Sequence, residues 1–221
     1  MSDYISPKDF HSAGGTEDWR VIGDGACAYF PTSSLAKSVE LVAAVANLPG
    51  VEAHKPDIDV RPDGVTFRLL TKDSDYYGMS QRDVEVARSI SQAATGLGLA
   101  GDPSQVQGFL VIAGSSDPAA VMPFWQAVLG YDRRPDTPDE DLVDPHLRNP
   151  SFWFEQMKDL RGDGGGAIHV SVWIPYEEAQ KRVDAALAAG GTIVYDRAPM
   201  WWTLADAAGN QCDISTIENR D

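Results

Sequence analysis

Histidine is scarce in this chain, with four in 221 residues, so each one is a candidate for proton chemistry. His54 stands in the run His54-Lys55-Pro56, ahead of an alternating apolar segment that ends in Thr71-Lys72-Asp73-Ser74. An imidazole gives or takes a proton near neutral pH. A lysine, with a reference pKa of about 10.4, is a poor base at pH 7 unless burial lowers it. His54 is therefore the candidate for proton chemistry in this run, with Lys55 and Lys72 as neighbouring candidates. Pro56, Thr71 and Ser74 complete that candidate set. A second set lies far along the chain, with His169 and Trp173 in one apolar run, Trp202 in another and Asp213 near the end. A metal centre needs three or four convergent nitrogen or oxygen ligands. His169 and Asp213 are two, and Glu155 or Gln156 could supply a third.

The elements that must carry the first set follow from pattern. Residues 1–16 mix Ser, Gly, Pro and charge without periodicity and are expected to form a flexible arm, with His11 inside it. Two short strands joined around Gly23-Asp24-Gly25 span Trp19 to Phe30. A helix follows, capped by Thr32 or Ser33, with Leu35, Val39, Val42, Val45 and Ala46 inward, until Pro49-Gly50 stops it. Ile58 and Val60, then Val65, Phe67 and Leu69, alternate around Arg61-Pro62-Asp63-Gly64 and predict a β-hairpin. Ser80 and Asp83 have capping-box spacing and open a second helix with Val86, Ala87, Ile90 and Ala94 inward and Gly96 at its end. This is a small α+β unit, a small antiparallel sheet with helices on one face, over residues 17–100.

Residues 101–106, with Gly101-Asp102-Pro103-Ser104, read as a linker. Over 107–221 the pattern repeats. A strand from Gly108 to Gly114 leads to a helix over Pro118–Leu129, and one from Ile168 to Ile174 leads to a helix with Ala179, Val183, Ala186 and Leu187 inward. The second helix offers Glu177–Lys181 and Glu178–Arg182 pairs. The run Asn149–Met157, Thr192–Asp196 and the segments around Trp201-Trp202 and Cys212 supply further strands, so paired βαβββ modules are expected. Gly162–Gly166 lacks a Gly-Lys-Ser/Thr ending and reads as a hinge rather than a phosphate loop. Adjacent Trp201 and Trp202 must face opposite sides of a strand, so one could line a concavity, whereas Trp125 on the helix stripe is expected in the core.

The order strand, strand, helix, hairpin, helix, with His54-Lys55-Pro56 before the hairpin and Gly78-Met79-Ser80-x-x-Asp83 after it, resembles the pterin-4a-carbinolamine dehydratase family from about Trp19 to Leu99. The resemblance implies a site where a pterin loses its 4a-hydroxyl as water. The family pattern has two adjacent histidines before the proline and a third at the following strand end. Here His54 matches the first, Lys55 stands for the second, and Lys72 or Ser74 falls at the third. Phe124-Trp125-x-x-Val128-Leu129-Gly130-Tyr131 and Ala205-Asp206-x-x-Gly209-Asn210 resemble the glyoxalase-like branch of the vicinal-oxygen-chelate superfamily, from Gln107 to roughly Ile217. That resemblance implies an open barrel of two modules, many members binding a divalent metal through His and Glu. The first-module strand has no histidine, so the expected pocket is metal-free.

Composition bounds the partners. With 18 basic and 33 acidic residues the net charge is -15, which repels nucleic acid and anionic lipid surfaces. The two cysteines fall in different units, no basic-then-apolar leader is visible and no stretch of roughly 18 apolar residues occurs, which together fit a cytoplasmic protein. The expected ligand is a small molecule, a pterin or similar heterocycle, with no cofactor; homo-oligomerisation stays open. The leading reading is a hydro-lyase of the 4a-hydroxytetrahydrobiopterin dehydratase type, weak or altered, fused to a small-molecule-binding unit. The alternatives are a non-catalytic binding or assembly protein with a degenerate site, and a metal-dependent lyase or dioxygenase using His169 and Asp213.

Overall fold

The computed structural model describes residues 3–157, 168–205 and 211–220. Two compact units divide the chain, Met1–Val106 with Arg220–Asp221, and Gln107–Asn219. Gly162–Gly166 and the Asp206–Asn210 part of the closing motif lie outside the described residues.

Unit 1 begins with β1 (Tyr4–Ile5) and α1 (Pro7–Ser12), followed by β2 (Arg20–Val21), β3 (Ala26–Pro31), α2 (Leu35–Ala46) and α3 (Val51–His54). It continues through the hairpin β4 (Asp57–Arg61) and β5 (Gly64–Leu69), then β6 (Thr71–Lys72), β7 (Tyr77–Ser80) and α4 (Gln81–Gly96). One sheet runs β2-β3-β5-β4 and a smaller one β1-β7-β6, all pairings antiparallel. Alternation buries Ala28 and Phe30 of β3 and Val65, Phe67 and Leu69 of β5, and Leu41 and Val45 of α2 and Ile90 of α4 are fully buried too. Trp19 is fully buried and its indole N–H donates to Ser91 Oγ at 3.1 Å.

The unit departs from the sequence pattern at three places. Residues 1–16 read as an arm, yet Ser6 and Asp9 form a reciprocal capping box on α1, Phe10 is fully buried, and His11 Nε2 accepts from the Val21 N–H at 2.9 Å. One buried aromatic and two backbone attachments outweigh a composition that carries no periodicity. The α2 cap is Ser34, one residue past the expected pair. That helix turns Ser38, Leu41 and Val45 inward, leaving Leu35 and Val39 52% and 55% exposed and Ala46 exposed. The inward Ser38 is satisfied by the Arg61 carbonyl at 2.9 Å, so a polar residue occupies the face that apolar counting assigns to its neighbours.

Unit 2 contains β8 (Gly108–Ser115), α5 (Pro118–Leu129), β9 (Asp132–Arg133), β10 (Asp141–Val143) and β11 (Ser151–Gln156) as a first module. Its second module is β12 (Ile168–Trp173), α6 (Tyr176–Ala188), β13 (Thr192–Arg197), β14 (Trp201–Ala205) and β15 (Gln211–Ser215). All eight strands form one sheet in the order β13-β14-β15-β12-β8-β11-β10-β9. Each module contributes its strands in the order first, fourth, third, second, and the two first strands, β8 and β12, pair antiparallel at the middle. The expected βαβββ duplication is thus present. Each helix covers the same face of its own half-sheet. Met122, Leu142, Phe154, Ala113 and Tyr131 pack together under α5, with Trp125 against them, and Ala179, Val183, Trp202, Leu204 and Ile214 under α6. Leu187 lies at 36% exposure rather than in that core. Lys181 pairs with Glu178 at 2.9 Å, in i,i+3 register.

Candidate functional site

In unit 1, Gly50 (φ 84°) and Lys55 (φ 54°) bracket the single turn of α3 in left-handed conformations. Gly50 takes that region without a Cβ penalty, whereas Lys55 adopts it under strain of roughly 1–2 kcal/mol. Pro56 disfavours a right-handed helical conformation at Lys55 and so ends the turn there. His54, the last residue of that turn, is thereby set against the start of α4.

Its imidazole Nε2 lies 2.6 Å from Asp83 Oδ1, with the His54 side chain 4% exposed and Asp83 fully buried. The other carboxylate oxygen accepts from the Ser80 N–H at 2.6 Å and from the Ser80 and Thr71 hydroxyls at 2.8 Å each. Burial opposes a charged Asp83, but the hydrogen bonds from His54, Ser80 and Thr71 and the His54 charge outweigh it and hold the carboxyl below its ordinary range. A carboxylate only accepts, so Nε2 carries a proton and donates it. Proton exchange with a ligand must then run through Nδ1.

Of the residues expected beside His54, Thr71 is joined to it through Asp83. Lys55, Lys72 and Ser74 are exposed, Ser74 Oγ reaching Asp75 Oδ1 at 3.4 Å, and Pro56 is half-buried. Asp83 was legible only as a helix cap. Its spacing from Ser80 is the signal, and what that spacing cannot reveal is that the second carboxylate oxygen faces α3.

In unit 2 the face opposite the helices carries His169, Ser171 and Trp173 from β12, Asp213 and Ser215 from β15, and Trp201 and Thr203 from β14. Strand alternation and registered pairs place them together. His169 Nε2 is 3.4 Å from Asp213 Oδ2, Thr203 Oγ1 donates to Asp213 Oδ1 at 2.7 Å, and the Ser171 and Ser215 hydroxyls are 2.8 Å apart. Trp202, expected as a binding residue, instead lies in the core under α6, and its neighbour Trp201 occupies the helix-free face. Arg197 stacks on Trp201, 5.1 Å from the ring centroid. Among the described residues no group of three His, Cys, Asp or Glu is arranged to hold a metal. No described helix is long and apolar enough to cross a membrane.

These features define a two-unit α+β chain with a histidine–carboxylate pair in one unit and a duplicated βαβββ sheet in the other. Residues 5–93 match the family described as pterin 4 alpha carbinolamine dehydratase, and residues 110–215 match the family described as glyoxalase-like domain. A protein of Nocardia farcinica (strain IFM 10152), provisionally named a pterin-4-alpha-carbinolamine dehydratase, is 35% identical over 77 residues, covering 35% of this chain and 79% of the relative. A protein of Mycobacterium leprae (strain Br4923), provisionally given the same name, is 31% identical over 75 residues, covering 34% and 78% respectively. The chain belongs to the pterin-4a-carbinolamine dehydratase family through unit 1 and carries a glyoxalase-like domain as unit 2. A crystal structure of a glyoxalase/bleomycin resistance protein/dioxygenase superfamily member from Vibrio splendidus 12B01 aligns with 50% of this chain and 99% of its own, at a TM-score of 0.35 and 16% identity.

Proposed function

We propose that unit 1 binds a pterin carbinolamine and promotes loss of its 4a-hydroxyl as water, more slowly than a three-histidine site would. The single supporting observation is the His54–Asp83 pair at 2.6 Å, which fixes the imidazole with one nitrogen committed to donation. In the reaction the C4a–O bond breaks, the N5 proton passes to a base and the departing oxygen gains a proton. In this reading His54 Nδ1 exchanges both, and the exposed Lys55 and Lys72 orient the substrate. Losing one positioned acid–base group costs about 10² to 10⁴ in rate, and two of the family's three positions here hold other residues. Unit 2 binds a small molecule, and the whole is read as a cytoplasmic protein. Dehydration of a 4a-hydroxytetrahydropterin by wild type, lost in His54→Ala, supports the reading; equal rates in both sink it.

A second reading, a binding or assembly protein, is favoured by the 4% exposure of His54, which suits a clamp between α3 and α4 as well as a base. It predicts that His54→Ala loses stability with no catalysis to lose.

A further inference from the structure

Strand β1 is two residues long, yet its Tyr4 touches both ends of the hairpin formed by β6 and β7. The Tyr4 backbone pairs opposite Ser80, with Ile5 opposite Met79. Beside them the Asp3 carbonyl accepts the Gln81 N–H at 2.7 Å, one of the donors that the first turn of α4 leaves open. The Tyr4 side chain reaches the turn that joins β6 to β7. Its ring stacks on Tyr76 with centroids 3.5 Å apart and planes 7° from parallel, and its hydroxyl donates to Asp73 Oδ2 at 2.8 Å. Tyr76 folds back over its own strand: its hydroxyl donates to the Met79 carbonyl at 2.6 Å, and a Cβ at Gly78 would stand 2.7 Å from that hydroxyl oxygen. Only a residue without a side chain leaves room there for the Tyr76 ring.

The same hairpin supplies the donors to Asp83 Oδ2, Thr71 from β6 and Ser80 from β7, while His54 faces Oδ1. Strands of two and four residues hold together poorly as a pair, and a third strand steadies them. We propose that Tyr4 is a positioning residue for His54, acting through the clasped hairpin on Asp83. With the hairpin closed, Thr71 and Ser80 occupy one carboxylate oxygen and the other stays aimed at Nε2. With the Tyr4 side chain removed, those donors drift, the carboxylate turns, and the His54 Nε2–H loses its fixed acceptor. Gly78 belongs to the same device, because it admits the ring on which Tyr4 stacks. Tyr4 is 38% exposed, so its truncation empties little of the core and an effect at His54 is separable from general loosening. A benefit to turnover rests on the dehydratase reading of His54; the mechanical link to the imidazole does not.

The test follows the His54 Nε2–H proton in the full chain by proton–nitrogen NMR, with His54→Ala assigning the signal. In wild type this proton should exchange slowly with water. Tyr4→Ala and Gly78→Ala should each speed the exchange by about tenfold or more, the worth of one hydrogen bond. Tyr4→Phe keeps the ring stack and drops only the Asp73 bond, so it should lie between wild type and Tyr4→Ala. The reference is His11, held separately by the Val21 N–H, whose ring signals should stay as they are in all three variants. Exchange at His54 that is unchanged in Tyr4→Ala and Gly78→Ala overturns the proposal, and so does loss of the His11 signals in step with those of His54, which marks loosening of the whole unit. Where the wild-type chain dehydrates a 4a-hydroxytetrahydropterin, Tyr4→Ala should lower kcat and leave KM in place. A wild-type chain without turnover sinks the dehydratase reading alone, and the exchange rates still decide the role of Tyr4.

Discussion

Asp83 serves two elements at once: one carboxylate oxygen caps α4 through Ser80, and the other takes His54 Nε2 at 2.6 Å. The helix start and the acid–base group are therefore one device.

Asp83→Asn removes the charge and turns an amide N–H₂ toward donors at Ser80, Thr71 or His54. A buried donor left facing a donor costs about 1–3 kcal/mol. Urea unfolding should show a loss of at least that size, and under the dehydratase reading turnover should fall with it, because His54 loses its fixed orientation. An unchanged unfolding midpoint would show that the carboxylate is not needed to join α3 to α4.

The same pair sets an acid limit. The folded Asp83 carboxyl sits below its unfolded value near 4, so its contribution is complete above that value and is lost as pH falls through the folded pKa. The stability difference between wild type and Asp83→Asn should shrink as pH falls below about 4. A difference that keeps growing below about pH 4 contradicts the assignment.

Lys55→Gly separates backbone from ammonium. Glycine relieves the left-handed strain of roughly 1–2 kcal/mol but adds unfolded-state entropy of about 0.4–1 kcal/mol, so stability should rise by no more than about 1.6 kcal/mol. If the ammonium orients substrate, KM rises while kcat holds.

Phe10→Ala should destabilise unit 1 by about 3–5 kcal/mol, the usual cost of emptying a buried phenylalanine site. A cost under about 1 kcal/mol, measured by denaturant titration, would return residues 1–16 to the status of an arm.

Cys27 is buried, and burial pushes its thiol up to about 12. The thiolate is the reactive species, so an aromatic disulfide reagent at about pH 8 should leave Cys27 unmodified until the chain is unfolded, as peptide mapping would show. Rapid native labelling there would contradict the burial.

The sequence carried the elements further than the contacts. The alternation in Val65, Phe67 and Leu69 is a direct imprint of one buried face, and it appears in the sheet as read. The paired modules were visible because strand–helix order survives when identity does not. What period counting missed were places where a polar group takes an inward position, as Ser38 does, or where a lone aromatic such as Phe10 anchors an aperiodic segment. Trp201 and Trp202 were correctly split between faces, but which one entered the core depended on α6, which adjacency in the chain does not encode. The His54 and Asp83 positions, 29 residues apart, were each legible, but their junction was not, since it requires the left-handed exit at Lys55.

The central seam of unit 2 joins the twin halves by six matched residue pairs, from Ile168 with Ala113 to Trp173 with Gly108. A half separated from its twin would present a raw, long hydrogen-bonding border, prone to stick to other chains. Ancestry by copying therefore does not grant the halves independent lives: they should melt in one step.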